Sequence, residues 1–292
     1  MKRWWMSLLA GGPASVHSSV HPSVLVSVLV SVLVLVLVSV LAGCTTTTTT
    51  TSGGVGERET RAAPDQADVA RAARDRLELA GLYLSRGQNE VALDAVRRAL
   101  AAKPDMPEAY SLRGLIYGAM GDMAQAEDSF KRAQQLAPQD GDIMHNYGWF
   151  LCQQKRWADA DAQFSGALVL PQYRDAVRTL LAQGVCQARA GRWPEAERTL
   201  SRSYELDPAN PVTAYNLSDV LMQRGELTRA RFYIARINSQ PDLSSAQSLW
   251  LATRIERRLG NAQGVQDFGR KLQERFPESK EVLQYERGQF DE

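Results

Sequence analysis

Histidine and cysteine are both scarce in this chain, three of each among 292 residues, and each scarcity excludes a class of protein. Three cysteines are too few for a disulfide scaffold, and no C-x-x-C pair is present to suggest a zinc site. The histidines are His17, His21 and His145. Only His145 falls in the part expected to fold, which leaves little for histidine-based metal or triad chemistry. A basic excess is missing too: 34 lysines and arginines stand against 33 aspartates and glutamates. The charged face of a nucleic-acid binder is therefore not expected. No G-x-S-x-G, H-E-x-x-H or phosphate-binding loop occurs. Acidic pairs such as Asp159 and Asp161 suit a solvated helix face better than an acid–base site. His145 and Cys152 would stand about 10 Å apart along a helix, too far to meet within it. The expectation is a protein that is not an enzyme, with no catalytic residue, no cofactor and no metal.

What the chain has in plenty is valine, concentrated near its beginning. Lys2 and Arg3 open the sequence, and residues 24–42 are apolar but for serines. Hydrophobicity this dense marks a membrane-inserting segment, either a signal or an anchor. Alternation of Val and Leu creates no polar face, so it does not indicate a half-buried strand. The run ends in Leu41-Ala42-Gly43-Cys44, which resembles the bacterial lipobox, where a signal peptide is cut and the cysteine acylated. The competing reading is an uncleaved transmembrane anchor with an incidental cysteine. On the lipobox reading, residues 1–43 are a signal peptide and Cys44 is the lipidated first residue. Residues 44–72, with seven threonines at 45–51, form a disordered tether. Thr45 stands where an aspartate would retain such a lipoprotein in the inner membrane, so the resemblance implies the outer membrane, periplasmic face. A single acyl chain holds a protein only marginally, whereas two or three hold it firmly.

Beyond residue 72 the chain repeats itself about every 34 residues. Glycines fall at 87, 121, 191, 225 and 260, with Lys155 at the place missing from the middle gap. Prolines at 104, 138, 171, 208, 241 and 277 keep the same beat. That period is the tetratricopeptide signature. Residues 107–140 are the clearest copy, with Tyr110, Gly114, Tyr117, Gly121, Ala126, Phe130, Ala133 and Pro138 in the preferred places. Small residues at 114 and 126 let two helices cross closely, and Tyr117 and Phe130 fill the space beside the crossing. The expected fold is all-α, a right-handed superhelix of about six helix-turn-helix repeats at 73–106, 107–140, 141–176, 177–210, 211–244 and 245–278. Residues 279–292 would then provide a capping helix and tail.

In such arrays the first helices line a groove through positions 2, 5, 9, 12 and 13 of each repeat. Here these include Arg74 and Leu77, then His145 and Trp149, then Arg178, Leu181 and Arg189, then Tyr215, Asp219 and Met222, with Asn146 beside them. An apolar groove with a few polar anchors suits a helix or an extended peptide. Alternatively, Trp149 and Met222 are packing residues at repeat junctions. The carboxylate clamp of chaperone-binding relatives is incomplete: Asn146 and Arg178 match it, whereas Ser111, Leu115 and Ala182 do not. Cys152 and Cys186 lie on first helices of adjacent repeats and could bond in an oxidising compartment if their Cα atoms come within about 7 Å. Otherwise they are two small buried hydrophobes.

The most specific string is "HNYGWFLCQQKRWADADAQF" in the third repeat. Through Asn146, Tyr147, Gly148, Trp149, Phe150 and Cys152 it resembles the type IV pilus biogenesis lipoproteins, the pilotin family (PilF/PilW). The resemblance covers the lipobox and residues 73–278 and leaves out the valine-rich segment. It implies an outer-membrane lipoprotein scaffold, bound to lipid through acylated Cys44, that helps localise and multimerise the pilus secretin. A secretin subunit would be the partner, and the protein itself a monomer. The alternative in the same class is an adaptor for β-barrel assembly or for peptidoglycan enzymes.

Overall fold

The computed structural model describes residues 65–290, which form thirteen α-helices and no strand. The signal, Cys44 and residues 45–64 of the expected tether lie outside the described residues, whereas residues 66–72, expected to be disordered, are helical and begin the first helix. No helix among those described is long and apolar enough to cross a membrane. The helices pair as hairpins: α1 (Gln66–Ser85) with α2 (Asn89–Ala102), α3 (Pro107–Met120) with α4 (Met123–Leu136), and α5 (Gly141–Gln153) with α6 (Trp157–Leu168). They continue with α7 (Ala176–Arg189) and α8 (Trp193–Leu206), α9 (Pro211–Gln223) and α10 (Leu227–Asn238), and α11 (Ala246–Arg258) and α12 (Ala262–Arg275). A short α13 (Lys280–Glu286) closes the series. From α3 onward each first helix rests on the second helix of the hairpin before it, and α3, α5, α7, α9 and α11 also touch one another in sequence. This is a tetratricopeptide superhelix.

Local chemistry sets the ends of these helices. Asp140 at the start of α5 accepts from the amides of Asp142 and Ile143, and Asn210 does the same for Val212 and Thr213 at the start of α9. Such side chains satisfy amides that the first turn leaves without partners. Inside each hairpin the turn needs a left-handed residue. Glycine supplies it at five of the six turns, with φ between 73° and 87° at Gly87, Gly121, Gly191, Gly225 and Gly260. Lys155 adopts it in the α5–α6 turn with φ 58°, a conformation that costs a side-chain-bearing residue about 1 kcal/mol or more. Lys155→Gly is therefore expected to stabilise the protein by about 1 kcal/mol, read as a higher denaturation midpoint with unchanged slope.

Close crossing holds the two helices of a hairpin together. A Cβ on Gly114 would stand 2.8 Å from the ring of Phe130, and one on Gly184 would stand 2.6 Å from Leu200 Cγ. Phe130 is fully buried and its ring lies 5.3 Å from those of Tyr147 and Phe150. It therefore joins the second repeat to the third.

Charge adds register between repeats. The acid at the same place in three second helices reaches an arginine of the next hairpin: Glu127 to Arg156 (2.8 Å), Asp161 to Arg192 (3.1 Å), and Glu197 to Arg229 (2.7 Å), with Arg224 also on Glu197. At the equivalent place in α10 the sign reverses, and Arg231 grips the buried Glu256 of α11 with two hydrogen bonds. A hairpin shifted along the array by one repeat at this junction would set like charges together. The last hairpin is closed by α13 and the following turn, where Val282, Tyr285 and Phe290 pack with Leu249, Trp250 and Leu272.

Candidate functional site

The first helices α3 to α11 present a continuous face, and its residues separate into two groups. Position 9 of each repeat and position 13 remain accessible to solvent. Positions 5 and 12 lie deeper: Ser111, His145 and Leu181 at position 5 and Cys152 and Met222 at position 12 are buried, whereas Tyr215, also at position 5, stays half-buried. Leu77, His145, Leu181 and Met222, expected to line the groove, are thus buried. Leu77 belongs to a core cluster with Ala73, Ala80, Leu93 and Val96. Met222 has no exposed surface, and its carbonyl accepts from Arg258. The contact surface is narrower than the spacing suggested.

What stays on the face is led by Trp149 of α5 and Arg189 of α7. The Arg189 guanidinium carbon lies 5.0 Å from the centre of the Trp149 ring, a cation–π pair that holds the indole flat. Trp149 and Tyr215 are half-buried, Asp219 likewise, while Arg74 and Arg189 are exposed. Asn146 is half-buried and donates to Ser111 Oγ at 3.1 Å, which ties α5 to α3. One helical turn beyond Trp149 is Cys152, and one turn before Arg189 is Cys186. These two form a disulfide with Cα atoms 5.8 Å apart. The cross-link thus fixes the two helices that carry the indole and the guanidinium.

At one edge of the face a polar chain anchors the α6–α7 loop. Tyr173 Oη and Thr179 Oγ1 are 2.6 Å apart, and Thr179 Oγ1 and His145 Nδ1 are 2.8 Å apart. Tyr173 donating to Thr179 and Thr179 donating to Nδ1 fits a neutral His145 protonated on Nε2. Burial, aided by the positive charge of Arg178, pushes the His145 imidazole down to about 3. Arg178 itself donates to Asp142 at 2.8 Å and lies 3.6 Å from Asp175. Burial raises the Asp142 carboxyl against the opposing pull of Arg178.

The other end of the face carries Tyr215 and Asp219 on α9, opposite α11. Burial and the neighbouring Asp219 push the Tyr215 phenol up, and burial raises Asp219 despite the positive charges of Arg254 and Arg258. Arg254 donates from Nε to the carbonyl of Phe290 at 3.0 Å. The Phe290 ring stacks 5.4 Å from that of Trp250, with Arg257 above it at 5.6 Å. Phe290 therefore lies on α11. The expected groove residues did not include Arg254, Arg257 or Arg258. Gly260 was the signal that could have found them: taken as the turn glycine, it makes Ala246 the first position and Arg254 the ninth.

No group of three or more His, Cys, Asp or Glu among the described residues is placed to hold a metal ion. The chemistry on offer is apolar and cationic recognition across a long shallow face.

Tetratricopeptide-repeat models match residues 79–144, 148–211 and 187–249. The crystal structure of PilW, a widely conserved type IV pilus biogenesis factor, superposes with a TM-score of 0.67. It is 31% identical, with 72% of this chain and 96% of that one covered. This chain belongs to the PilW/PilF family of tetratricopeptide-repeat proteins. The type IV pilus assembly protein PilF of Pseudomonas aeruginosa is 25% identical over 215 residues, 73% of this chain and 85% of PilF. The solved structure of Pseudomonas aeruginosa PilF, 22% identical, shares the fold with a TM-score of 0.63 and covers 75% of this chain and 99% of that one. The PilW/PilF likeness therefore spans nearly the whole length of these relatives.

Proposed function

We propose that the protein is a pilotin: an outer-membrane lipoprotein, acylated at Cys44, that takes part in type IV pilus biogenesis by binding the secretin subunit and promoting its localisation and multimerisation. The observation that carries this reading is the 31% identity to PilW across 96% of that chain. In this reading it acts as a scaffold and not as an enzyme. The groove around Trp149, Arg189, Tyr215 and Asp219, with Arg74, Asn146 and Arg178 toward its margins, receives an apolar segment bearing a carboxylate. The aromatic rings would supply contact area and Arg189 the polar anchor. The tether confines the bound subunit to the membrane surface, which raises its local concentration without any new contact.

The test is the heat-resistant secretin oligomer in outer-membrane fractions of a strain lacking the gene. Complementation with the wild-type gene is expected to restore the oligomer. Cys44→Ala is expected to leave it absent from the outer membrane. Trp149→Ala with Arg189→Glu is expected to lower it about tenfold or more, the loss of one desolvated aromatic anchor and its cation. Normal oligomer and normal pili in the deletion strain would sink the pilotin reading and favour an adaptor for β-barrel assembly or peptidoglycan enzymes.

A further inference from the structure

The two ends of the array are finished differently. At the far end α13 covers the last hairpin, and Tyr285 lies so close to Gly269 that a Cβ there would have no room. At the near end no described residue plays that part. In each of the five later hairpins the tenth position of the first helix is closed off from solvent. The residues are Ile116, Phe150, Cys186, Val220 and Ile255, all buried. In α1 the tenth position is Leu82, 49% exposed, and the seventh is Leu79, also 49% exposed. A terminal repeat normally presents a polar outer face, and these two leucines break that rule. Residues 45–64, which precede the helix, contain one large apolar side chain, Val55, too little to supply a matching stripe.

The residues flanking the leucines say what would cover them. Asp75, Leu79, Leu82 and Arg86 follow one another at spacings of four, three and four, so the first three lie along one side of α1, and Arg86 stands in the turn one residue past its end. All four are exposed. The stripe reads acid, leucine, leucine, base. Turned end over end, it becomes its own complement: Asp75 meets Arg86, and Leu79 meets Leu82.

We propose that α1 is a homodimer edge, on which two copies of this chain pack their first helices antiparallel about a two-fold axis between positions 79 and 82. The interface is isologous, with each salt bridge made twice. A single pair of helices buries less than a standard stable interface, so association in solution is weak and reversible. On the lipid-anchored reading above, confinement of both copies to one membrane raises their effective concentration, and the pair presents two grooves to secretin subunits. That consequence rests on the pilotin reading; the dimer and its test do not.

The test is sedimentation equilibrium of the full chain in detergent, across a wide range of concentration. The wild type is expected to show a monomer–dimer equilibrium. Asp75→Arg and Arg86→Asp each place like charges opposite one another twice per dimer, and each is expected to weaken association about tenfold or more. An equimolar mixture of the two variants pairs each new charge with its opposite and is expected to recover wild-type association. Because these side chains are exposed, circular dichroism and denaturation midpoints should match the wild type, which separates lost association from lost folding. A wild type that stays monomeric throughout, or a mixture no better than either variant alone, overturns the proposal. The first outcome would point instead to a helix of another protein as the cover.

Discussion

Replacing Cys152 and Cys186 together by alanine is expected to destabilise the protein by about 3 to 4 kcal/mol, from the closure entropy of a loop of this length. The two cysteines are 34 residues apart in sequence and bonded between α5 and α7. They are nearly fully buried, so lost sulfur packing adds to the effect. The bond crosses from the third repeat to the fourth, in the middle of the array. In a repeat protein stability is a sum of hairpin and nearest-neighbour terms, so weakening this junction invites the two halves to unfold separately. Chemical denaturation of the double variant should show an earlier, and broader or split, transition. Reductant should move the wild type in the same direction and leave the variant unmoved. Identical midpoints for wild type and variant would mean that the thiols are not bonded in solution. The consequence for the groove is local: Trp149 and Arg189 sit one turn from the two cysteines, and their 5.0 Å stacking depends on the spacing of α5 and α7.

The second large effect is on acid stability and comes from His145. Its imidazole titrates near 3 in the folded chain, against an ordinary value near 6.5. Above pH 6.5 it is neutral folded or unfolded and contributes nothing to the pH dependence. As pH falls from 6.5 toward 3, the unfolded chain takes up a proton that the folded chain refuses, and stability drops. The loss from this group is about 3 kcal/mol between pH 7 and pH 4. Protonation would put a hydrogen on Nδ1, facing the Thr179 hydroxyl that now donates to it, with Arg178 close by. His145→Gln should flatten the stability-against-pH curve over that interval relative to the wild type, whatever its effect at pH 7. Equal slopes for the two proteins would mean that His145 is not the buried neutral group described above. The carboxylates titrate in both proteins and cancel in the comparison.

Much of the fold was legible in residue spacing. The 34-residue beat of Gly87, Gly121, Gly191, Gly225 and Gly260 shows in the sequence because the turn demands a left-handed residue, and glycine meets that demand most cheaply. Lys155 broke the beat in the sequence yet adopts the same conformation, since the packing of α5 and α6 on either side outweighs its strain. The site was less legible. Periodicity places a residue on a helix face to within one turn, and the division between groove and interior is finer than that. Trp149 and Leu181 both fell within the expected groove, yet one is half-buried and the other sealed. Arg254 was missed because the sixth repeat departs from the consensus, and because Phe290, which orders Arg254 through a backbone carbonyl, lies 36 residues away.

By itself the sequence determined the class: an all-helical tetratricopeptide array, with a lipobox-like Leu41-Ala42-Gly43-Cys44 before it and a string at 145–164 that points to pilus biogenesis proteins. These are local patterns, and local patterns survive in one dimension. The tertiary structure alone decided which side chains meet. It brought Cys152 to Cys186 and Trp149 to Arg189, hid Leu77, His145, Leu181 and Met222, and left Leu79 and Leu82 uncovered at one end of the stack. Each of those outcomes depends on which helix lies against which, and a helix's exposed face is defined only by the neighbour it has or lacks.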